Sequence, residues 1–269
     1  NMKDKVLAVL KNTDGYVSGQ ELCEELGVSR TAVWKAVNAL KEAGYEIESV
    51  RNRGYMLRSC PDVLLSEEIK SVLDTKWFAN KILYFDKIDS TNSEIKRQAE
   101  QGASEGTLAI AEYQSAGRGR RGRSWDSPAG SGIWMSFLIK PDIRPEHAPM
   151  ITLLAAMACA SAVREVTGLE AMIKWPNDIV IGGRKITGIL TEMSTEMETI
   201  SYVVVGIGIN ANMTEFPEDI RKTATSLAIE CKKPVSRSLI VASFGHYFEQ
   251  YYEIFINDLN MSSLKDIYE

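Results

Sequence analysis

The sequence predicts an α+β fold with two parts, a small helical unit that ends in a β-hairpin and a larger unit built on a mixed sheet. Three observations predict it. The first part contains three helical periods followed by an alternating strand pattern. Beyond residue 77, short apolar strands alternate with helices, and two of these strands form a hairpin on Gly182-Gly183. The length of 269 residues, with 45% hydrophobic residues, accommodates two ordinary domains.

Composition excludes several classes of protein. The net charge of -5 gives no general attraction to nucleic acid, so any such contact must be local. The four cysteines lie far apart and there are only two histidines, which disfavours a metal cage. The chain has neither a signal-peptide pattern nor a run of 18 apolar residues, so we expect a soluble, cytoplasmic protein without a membrane partner.

The N-terminal helices form a recognisable pair. After a first helix over 3–11, Ser18 and Glu21 have capping-box spacing at the start of the second helix. Gly27 ends that helix, and Ser29 begins a third that runs to Ala43. A three-residue turn that contains glycine therefore joins the second and third helices, which is typical of a helix-turn-helix.

A hairpin follows, with strands over 45–50 and 55–57 and turn residues between them. Residues 29–58 carry a net charge of +3, whereas residues 12–25 carry -4. The basic residues thus lie on the two elements that a winged helix-turn-helix lays on DNA. The alternative is a helical bundle used for protein contacts. The candidate DNA-binding residues are Gly19, Arg30, Thr31, Trp34, Lys35, Asn38, Arg51 and Arg53.

A boundary follows the hairpin. Pro61 disfavours helix at Cys60, and a short capped helix over 66–73 is predicted as a connector. We predict a DNA-binding domain over 1–60, a linker with a short helix over 61–76 and a second domain over 77–269.

Polar residues stand between a strand over 82–85 and a helix over 93–101. Ser90, Thr91 and Asn92 lie at this junction. They are either a helix cap with spare hydroxyls or hydroxyl and amide groups that face a ligand.

The most unusual stretch is Gly117-Arg118-Gly119-Arg120-Arg121-Gly122-Arg123, with Gln114 before it and Trp125 after it. Arginine forks on a glycine backbone suit anions with several oxygens, such as phosphates and carboxylates. The alternative is a mobile basic loop or a disordered nucleic-acid-binding patch. Apolar strands on either side, 109–111 and 132–139, favour a ligand clamp.

The remaining pattern predicts the rest of the sheet and its helices. An alanine-rich segment over 145–167 predicts a buried helix, and a strand over 171–175 ends in Pro176-Asn177-Asp178. In the Gly-Gly hairpin, Lys185 comes directly after the turn and Gly188 interrupts the strand, which suggests close backbone approach.

The last strand, 202–210, carries Gly206 and Gly208 on one face and ends at Asn210. That face is either a groove for a flat ligand or a site of tight packing. A final helix over 236–257 carries an aromatic stripe that we interpret as core, not as a cofactor site.

Five motifs stand in the order seen in biotin protein ligases. With the winged unit, the chain resembles the bifunctional biotin protein ligase/biotin operon repressor family of bacteria over residues 3 to about 255. The resemblance implies a class II synthetase-like biotin/lipoate ligase catalytic domain. It also implies a C-terminal SH3-like β-barrel, which we expect to be absent because the chain stops at Glu269. The motifs are Asp89-Ser90-Thr91-Asn92, Glu112 to Arg123, Lys174-Trp175-Pro176-Asn177-Asp178, Arg184 to Leu190 and Gly206-Ile207-Gly208-Ile209-Asn210.

The resemblance implies two half-reactions. Biotin attacks the α-phosphate of ATP to give biotinyl-5′-AMP, and a lysine of a biotin carboxyl carrier protein then displaces AMP. It implies Mg²⁺ as a cofactor, operator DNA as a partner, and a homodimer of the adenylate-bound protein that represses biotin genes.

The family pattern also implies residue roles. Arg120, Lys185 and Asp178 are the expected catalytic residues, and Asp178 is a possible Mg²⁺ contact without a protein cage. The expected biotin-binding residues are Ser90, Thr91, Asn92, Gln114, Arg118, Gly119, Arg120, Lys185 and Gly206. The expected ATP- or adenylate-binding residues are Arg118, Arg120, Arg123, Trp125, Lys174, Asn177 and Asn210.

Two rival functions remain at this point. One is a transcription factor that only senses a small molecule, against which the four-arginine loop and Lys185 argue. The other is a lipoate ligase of the same fold superfamily, in which we do not expect the Arg/Gly loop.

Overall fold

The computed structural model describes residues 2–196, 198–259 and 261–268. The chain divides into two compact units, 1–73 and 74–269. This division differs from the predicted boundaries, because the short helix expected in a linker packs against the first helix inside the N-terminal unit. Lys3 and Lys11 pair with its buried carboxylates Glu67 and Glu68, which explains how two acidic residues are tolerated in that packing.

The N-terminal unit has the predicted helix-turn-helix and hairpin. Ser18 and Glu21 form the capping box, and Gly27 ends the second helix in the left-handed conformation. Val6, Leu22, Val37 and other apolar residues from the three helices form its core. The elements are α1 (Met2–Asn12), α2 (Gly19–Leu26), α3 (Arg30–Glu42), β1 (Glu46–Val50), β2 (Gly54–Ser59) and α4 (Ser66–Val72).

The hairpin is held to the helices by backbone contacts. Val17 and Tyr55 exchange two backbone hydrogen bonds, of 2.9 and 2.8 Å. Gly54 has a φ of +104°, and a Cβ there would lie 2.0 Å from the carbonyl oxygen of Val17. Only glycine fits at this position, and it allows the β1–β2 hairpin to approach the segment before α2 closely enough for these hydrogen bonds.

The second unit is a seven-stranded sheet with helices on both faces. Its strands are β3 (Ile82–Ile88), β4 (Leu108–Gln114), β5 (Gly132–Ile139), β6 (Met172–Lys174), β7 (Asp178–Ile181), β8 (Arg184–Glu196) and β9 (Thr199–Asn210). Its α-helices are α5 (Thr91–Glu100), α6 (Ala148–Thr167), α7 (Leu227–Cys231), α8 (Arg237–Asp258) and α9 (Lys265–Tyr268).

The strand order is β3-β4-β5-β9-β8-β7-β6, with β3 and β4 parallel and every other pair antiparallel. This mixed sheet confirms the predicted fold class. The interior strand β5 is buried along its whole length, because both faces of the sheet are covered there.

Alternate residues of β5 face the two layers of helices. Phe137 packs on the aromatic side chains Phe244 and Phe248 of α8, at ring-centroid distances of 5.8 and 4.8 Å. Leu138 faces the other way and joins Ile95 of α5 in a second cluster. The aromatic stripe of the last helix is core, as predicted.

Within the described residues, one helical segment, Pro145–Thr167, passes a test of length and apolarity for crossing a membrane. In an 18-residue stretch of this segment 56% of the residues are buried inside the protein, where α6 packs on α8 and β8. The alanine-rich pattern is therefore that of a core helix, as predicted.

Candidate functional site

A pocket of about 590 Å³ opens on the face of the sheet that carries α5. Cross-strand pairing puts Ser136, Gly206 and Leu190 in one row across β5, β9 and β8. Gly208 and Gly188 continue the same face one step along. The start of α5, the basic loop and the β6–β7 turn close the sides of the pocket.

Most of the predicted site residues meet at this pocket. The two exceptions are Lys174, which is exposed opposite Asp178 in the β6–β7 pair, and Asn210, which is buried and donates to the Thr225 carbonyl at 3.2 Å. The predicted residues that line it are Ser90, Thr91, Asn92, Gln114, Arg118, Gly119, Arg120, Arg123, Trp125, Asn177, Asp178, Lys185 and Gly206.

The three glycines on the pocket face make room for side chains that lie flat on the sheet. A Cβ on Gly188 or Gly208 would come within 2.5 or 2.6 Å of the Trp125 indole. A Cβ on Gly206 would come within 2.0 Å of the Asn92 amide oxygen. Of the two alternatives left open for Gly206 and Gly208, tight packing therefore describes their immediate surroundings, and the pocket lies beside Trp125 and Asn92.

A β-bulge turns Lys185 towards the pocket. Thr187 pairs with Ile179 but Lys185 pairs with Val180, so Ile186 is an extra residue in β8. Without it, strict alternation from Gly188 would point Lys185 away from the pocket. The backbone of Lys185 is held from the other side by hydrogen bonds of 2.8 and 3.0 Å to the segment 223–225.

The Lys185 ammonium is the central charge of the site. Its Nζ lies 2.9 Å from Asp178 Oδ1 as an ion pair and 5.0 Å from the centre of the Trp125 ring. Asp178 Oδ1 is buried without a hydrogen bond, so this ion pair alone compensates it. The side chain of Lys185 remains 34% exposed, which leaves its ammonium accessible from the pocket.

The basic loop folds back on itself. Gly119 donates to the carbonyl of Arg123 at 2.7 Å, and Trp125 donates to the carbonyl of Gly117 at 2.8 Å. A short 3-10 turn at its tip holds Arg121 with φ +57°. The loop is therefore a closed turn that presents its arginines on one side of the pocket.

Two arginines of the loop dock on different walls. Arg120 donates to the Asn177 side-chain oxygen at 2.6 Å, and Asn177 is fixed by a 3.1 Å bond to the Ile189 carbonyl. Arg118 donates to Glu192 at 3.2 Å. The loop is thus tied to the β6–β7 turn and to β8.

A chain of polar side chains runs beneath the pocket. Ser136 donates to the Asn92 oxygen at 2.5 Å and lies 2.7 Å from the Thr91 hydroxyl. The Thr91 backbone donates to Gln114 at 2.9 Å, and Gln114 donates to Ser127 at 2.9 Å. These groups are buried or half-buried, so the pocket has a polar floor with fixed positions.

The turn that carries Ser90 is fixed by an ion pair outside the pocket. Arg97 donates to both oxygens of Asp89 at 2.9 Å, and Asp89 accepts from the Ser90 backbone at 2.7 Å. The Arg97 hydrogen bonds lower the pKa of Asp89 to about 2. Helix α5 begins two residues before the predicted start, and the Ser90 side chain makes no capping hydrogen bond, so the cap alternative does not describe Ser90.

Sequence reasoning missed two members of the polar network. Ser136 is the only hydroxyl residue in an otherwise apolar buried strand, and that contrast was the available signal. Glu192 lies four residues after Gly188 and therefore on the same face of β8. This spacing points to the site only when the face of β8 that lines the pocket is known.

In the N-terminal unit, the candidate DNA-binding residues of α3 share one face. Arg30, Thr31 and Lys35 are exposed, and Trp34 is 57% exposed. Asn38 is half-buried on the same side of the helix. This exposed face of α3 is free to enter a DNA groove, as the second helix of a helix-turn-helix does.

The other candidates lie outside α3. Gly19 is the first residue of α2, and Arg51 and Arg53 are exposed at the tip of the hairpin. The Arg53 guanidinium lies 4.3 Å from the centre of the Tyr16 ring, which holds it on the wing.

Comparison with known proteins agrees with this arrangement. The family model described as "Biotin/lipoate A/B protein ligase family" matches residues 84–210, and an HTH domain model matches residues 3–56. A bifunctional ligase/repressor BirA from Bacillus subtilis is 40% identical over 252 residues, which cover 93% of this chain and 78% of the relative. The chain belongs to the biotin/lipoate A/B protein ligase family.

Solved structures of biotin protein ligases share the fold. That of Aquifex aeolicus in complex with biotin and ATP matches at 30% identity and a TM-score of 0.61, over 71% of this chain and 77% of that chain. That of Leishmania major in complex with biotinyl-5-AMP matches at 25% identity and a TM-score of 0.54, over 67% and 79%. With its N-terminal winged unit, this member of the biotin/lipoate ligase family is of the bifunctional ligase/repressor type.

Proposed function

We propose that the chain is a biotin–[acetyl-CoA-carboxylase] ligase that makes biotinyl-5′-AMP from biotin and ATP and transfers biotin to a lysine of a carrier protein. We propose that it is also a biotin-responsive repressor. The observation that carries the ligase proposal is the convergence of Lys185, Arg118 and Arg120 on one pocket with a polar floor. A pocket that only sensed a neutral ring would not need three cations.

Activation brings two anions together, so the site must neutralise like charges. A biotin carboxylate oxygen attacks the α-phosphorus of ATP, and pyrophosphate leaves. In this proposal Lys185 binds the carboxylate and the phosphate in turn, which its exposed ammonium beside Asp178 permits. Arg118, Arg120 and Arg123 bind phosphate oxygens from the loop.

Biotin lies on the polar floor in this proposal. Ser90, Thr91, Asn92 and Gln114 contact the ureido ring, and Gly206 keeps the sheet bare beneath Asn92. Trp125, packed on Gly188 and Gly208, flanks the adenine. The acyl phosphate is thereby shielded from water by the loop and the indole.

Transfer needs a neutral lysine amine from the carrier protein. The amine nitrogen attacks the acyl carbon, the bond from that carbon to the phosphate oxygen breaks so that AMP leaves, and the proton of the amine passes to the departing phosphate or to water. Asp178 is the carboxylate nearest to the carboxylate-binding Lys185, and in this proposal it orients the incoming amine. Asn177 holds Arg120 in place during both steps.

Mg²⁺ fits this site as a partner of the nucleotide. In proteins Mg²⁺ is often bound by one or two carboxylates together with substrate phosphates, and Asp178 offers one carboxylate, whose Oδ1 accepts no hydrogen bond and is paired with Lys185. When bound there, the ion would supply charge neutralisation on the phosphates. The described residues contain no cluster of three or more His, Cys, Asp or Glu side chains suited to a metal cage.

The repressor half of the proposal rests on the winged unit. Two copies of α3 are needed to read a palindromic operator, so we propose a homodimer of the adenylate-bound protein. We also propose that the protein acts in the cytoplasm, where operator DNA and carrier protein are both available.

Biotin-dependent exchange of labelled pyrophosphate into ATP tests the ligase proposal. We expect exchange with biotin and none with lipoate. Exchange with lipoate alone would identify a lipoate ligase. Absence of exchange with either acid would refute the activation step and favour a protein that only senses a ligand.

A further inference from the structure

Glu192 lies at the edge of the pocket but does not line it. Its carboxylate accepts hydrogen bonds from Lys96 at 2.7 Å, Asn92 at 2.8 Å and Arg118 at 3.2 Å. Asn92 belongs to the floor of the pocket and Arg118 to the basic loop. One carboxylate therefore contacts both parts of the proposed biotin site.

Two acceptors fix which way the Asn92 amide points: its nitrogen donates to Glu192 at 2.8 Å and to the Leu190 backbone carbonyl at 3.3 Å. A carboxylate can only accept, so the Asn92 nitrogen must face it. The Asn92 oxygen then faces Ser136, whose hydroxyl must donate at 2.5 Å. With its single proton used, Ser136 can only accept from the next group in the chain.

That next group is Thr91. Its hydroxyl has one proton and two acceptors within reach, the Ser136 oxygen at 2.7 Å and the Gln114 side-chain oxygen at 3.1 Å, so that proton is used inside the floor. The Thr91 hydroxyl then has lone pairs but no proton to offer a ligand. An acceptor at this point of the floor suits an N–H donor, which the ureido ring of biotin provides.

We propose that Glu192 is a positioning residue, which fixes the Asn92 end of the Asn92–Ser136–Thr91 chain through a charge-assisted hydrogen bond and holds Arg118 beside the biotin pocket. The proposal rests on the ligase function proposed above. Glu192 does not touch substrate in it; the residue acts through Asn92 and Arg118.

The surroundings keep Glu192 ionised. Burial acts to raise the pKa of its carboxyl, but the hydrogen bonds from Lys96 and Asn92 and the charge of Arg118 outweigh burial and hold the pKa below its usual value. An ionised carboxylate is an acceptor only, whereas a glutamine amide can present either an oxygen or a nitrogen to Asn92. Glu192→Gln thus removes the charge-assisted bond to Asn92 and leaves only the longer bond to the Leu190 carbonyl, while the size of the side chain is kept.

The test is biotin-dependent pyrophosphate exchange by Glu192→Gln, with Glu196→Gln as the matched control. Glu196 is exposed near the end of the same strand, and its substitution changes the net charge by the same amount. We expect Glu192→Gln to raise the KM for biotin about tenfold, the factor that corresponds to one hydrogen bond to a charged group. We expect kcat to stay within about twofold, because the lost contacts bind substrate and transition state alike.

A raised KM for biotin with an almost unchanged kcat distinguishes a positioning role from a general structural role. Partial unfolding would lower kcat and leave the KM for biotin unchanged. That result, or a KM equal to that of Glu196→Gln, would overturn the inference. If the parent protein itself showed no exchange with biotin, the ligase proposal would fail instead.

A double-variant cycle tests the chain itself, and its Ser136→Ala arm gives a second measurement if Glu192→Gln folds poorly. Ser136→Ala breaks the link between Asn92 and Thr91, so it should also raise the KM for biotin. Residues in one network show coupling, so the double variant should raise KM by clearly less than the product of the two single factors. Independent, multiplicative effects would contradict transmission along the chain.

Discussion

Gly206→Ala is the substitution whose consequence for the pocket can be worked out most directly from distances. The added Cβ would lie 2.0 Å from Asn92 Oδ1, 2.8 Å from its Cγ and 2.9 Å from its Nδ2. Non-bonded atoms settle at about 3.5–4.0 Å, so the amide must retreat by about 1.5 Å. That movement breaks the 2.5 Å bond from Ser136 and the 2.8 Å bond to Glu192.

Two measurable effects follow from that displacement. Overpacking of this kind costs about 1–3 kcal/mol of stability, and each kcal/mol lowers Tm by about 2–4 °C in a domain of this size. Separately, the displaced amide enters the volume proposed for biotin. We expect the KM for biotin in pyrophosphate exchange to rise by at least about tenfold, as for the loss of one charge-assisted hydrogen bond.

Gly245→Ala is the control for overpacking alone. Its Cβ would lie 2.2 Å from Phe78 Cδ1 in the core formed with α8, away from the pocket. It should lower Tm and leave the KM for biotin unchanged. A Gly206→Ala protein with lowered Tm and the parent KM would refute the assignment of Asn92 to the biotin floor.

Three further outcomes follow from the same structure. Lys185→Met should lower kcat/KM for ATP in the exchange assay by about 10- to 100-fold through loss of a charge-assisted contact. It should also lower Tm, because Asp178 loses its ion pair, and adding Asp178→Asn should restore Tm but not activity. Recovery of activity in the double variant would contradict the role of Lys185. The pKa of Asp89, about 2 against an ordinary 3.8, means that its pair with Arg97 stabilises the fold above about pH 4 and that this contribution is lost as pH falls through about 2. The Tm difference between the parent and Arg97→Gln should therefore vanish at the acid end of a pH series, and a constant difference would contradict it. Lys35→Ala should weaken binding to a duplex selected by the parent protein and reduce the salt slope by about one, with exchange intact; an unchanged slope would count against α3 as the recognition helix.

Local signals were sufficient for the N-terminal unit. The capping box at Ser18, the left-handed Gly27 and the turn at Gly54 are short-range chemistry, and each is where the sequence predicted it. The helices α6 and α8 were likewise predicted from their apolar patterns, because a long helix that is apolar on most of its surface is buried.

The interior of the site was less accessible to sequence reasoning. The bulge at Ile186, which turns Lys185 to the pocket, depends on pairing with β7 and leaves no mark in the alternation of β8. Trp125 packs on glycines more than 60 residues further along the chain. These glycines lie side by side because of the register of their strands, which the sheet as a whole determines. Sequence alone indicated that Gly188 and Gly208 needed space, but not which side chain would use it.

The central claim is that the Arg/Gly loop clamps an acyl-adenylate over the pocket, with Arg120 docked on Asn177. Its most direct test is retention of the intermediate. The protein is incubated with biotin and ATP and passed through a desalting column, and the biotinyl-5′-AMP that stays bound is measured. The same measurement is made on the Arg120→Gly variant, whose Tm must equal that of the parent protein. The account predicts that the parent protein carries the intermediate through the column and the variant releases it. Equal retention by both proteins would contradict the clamp.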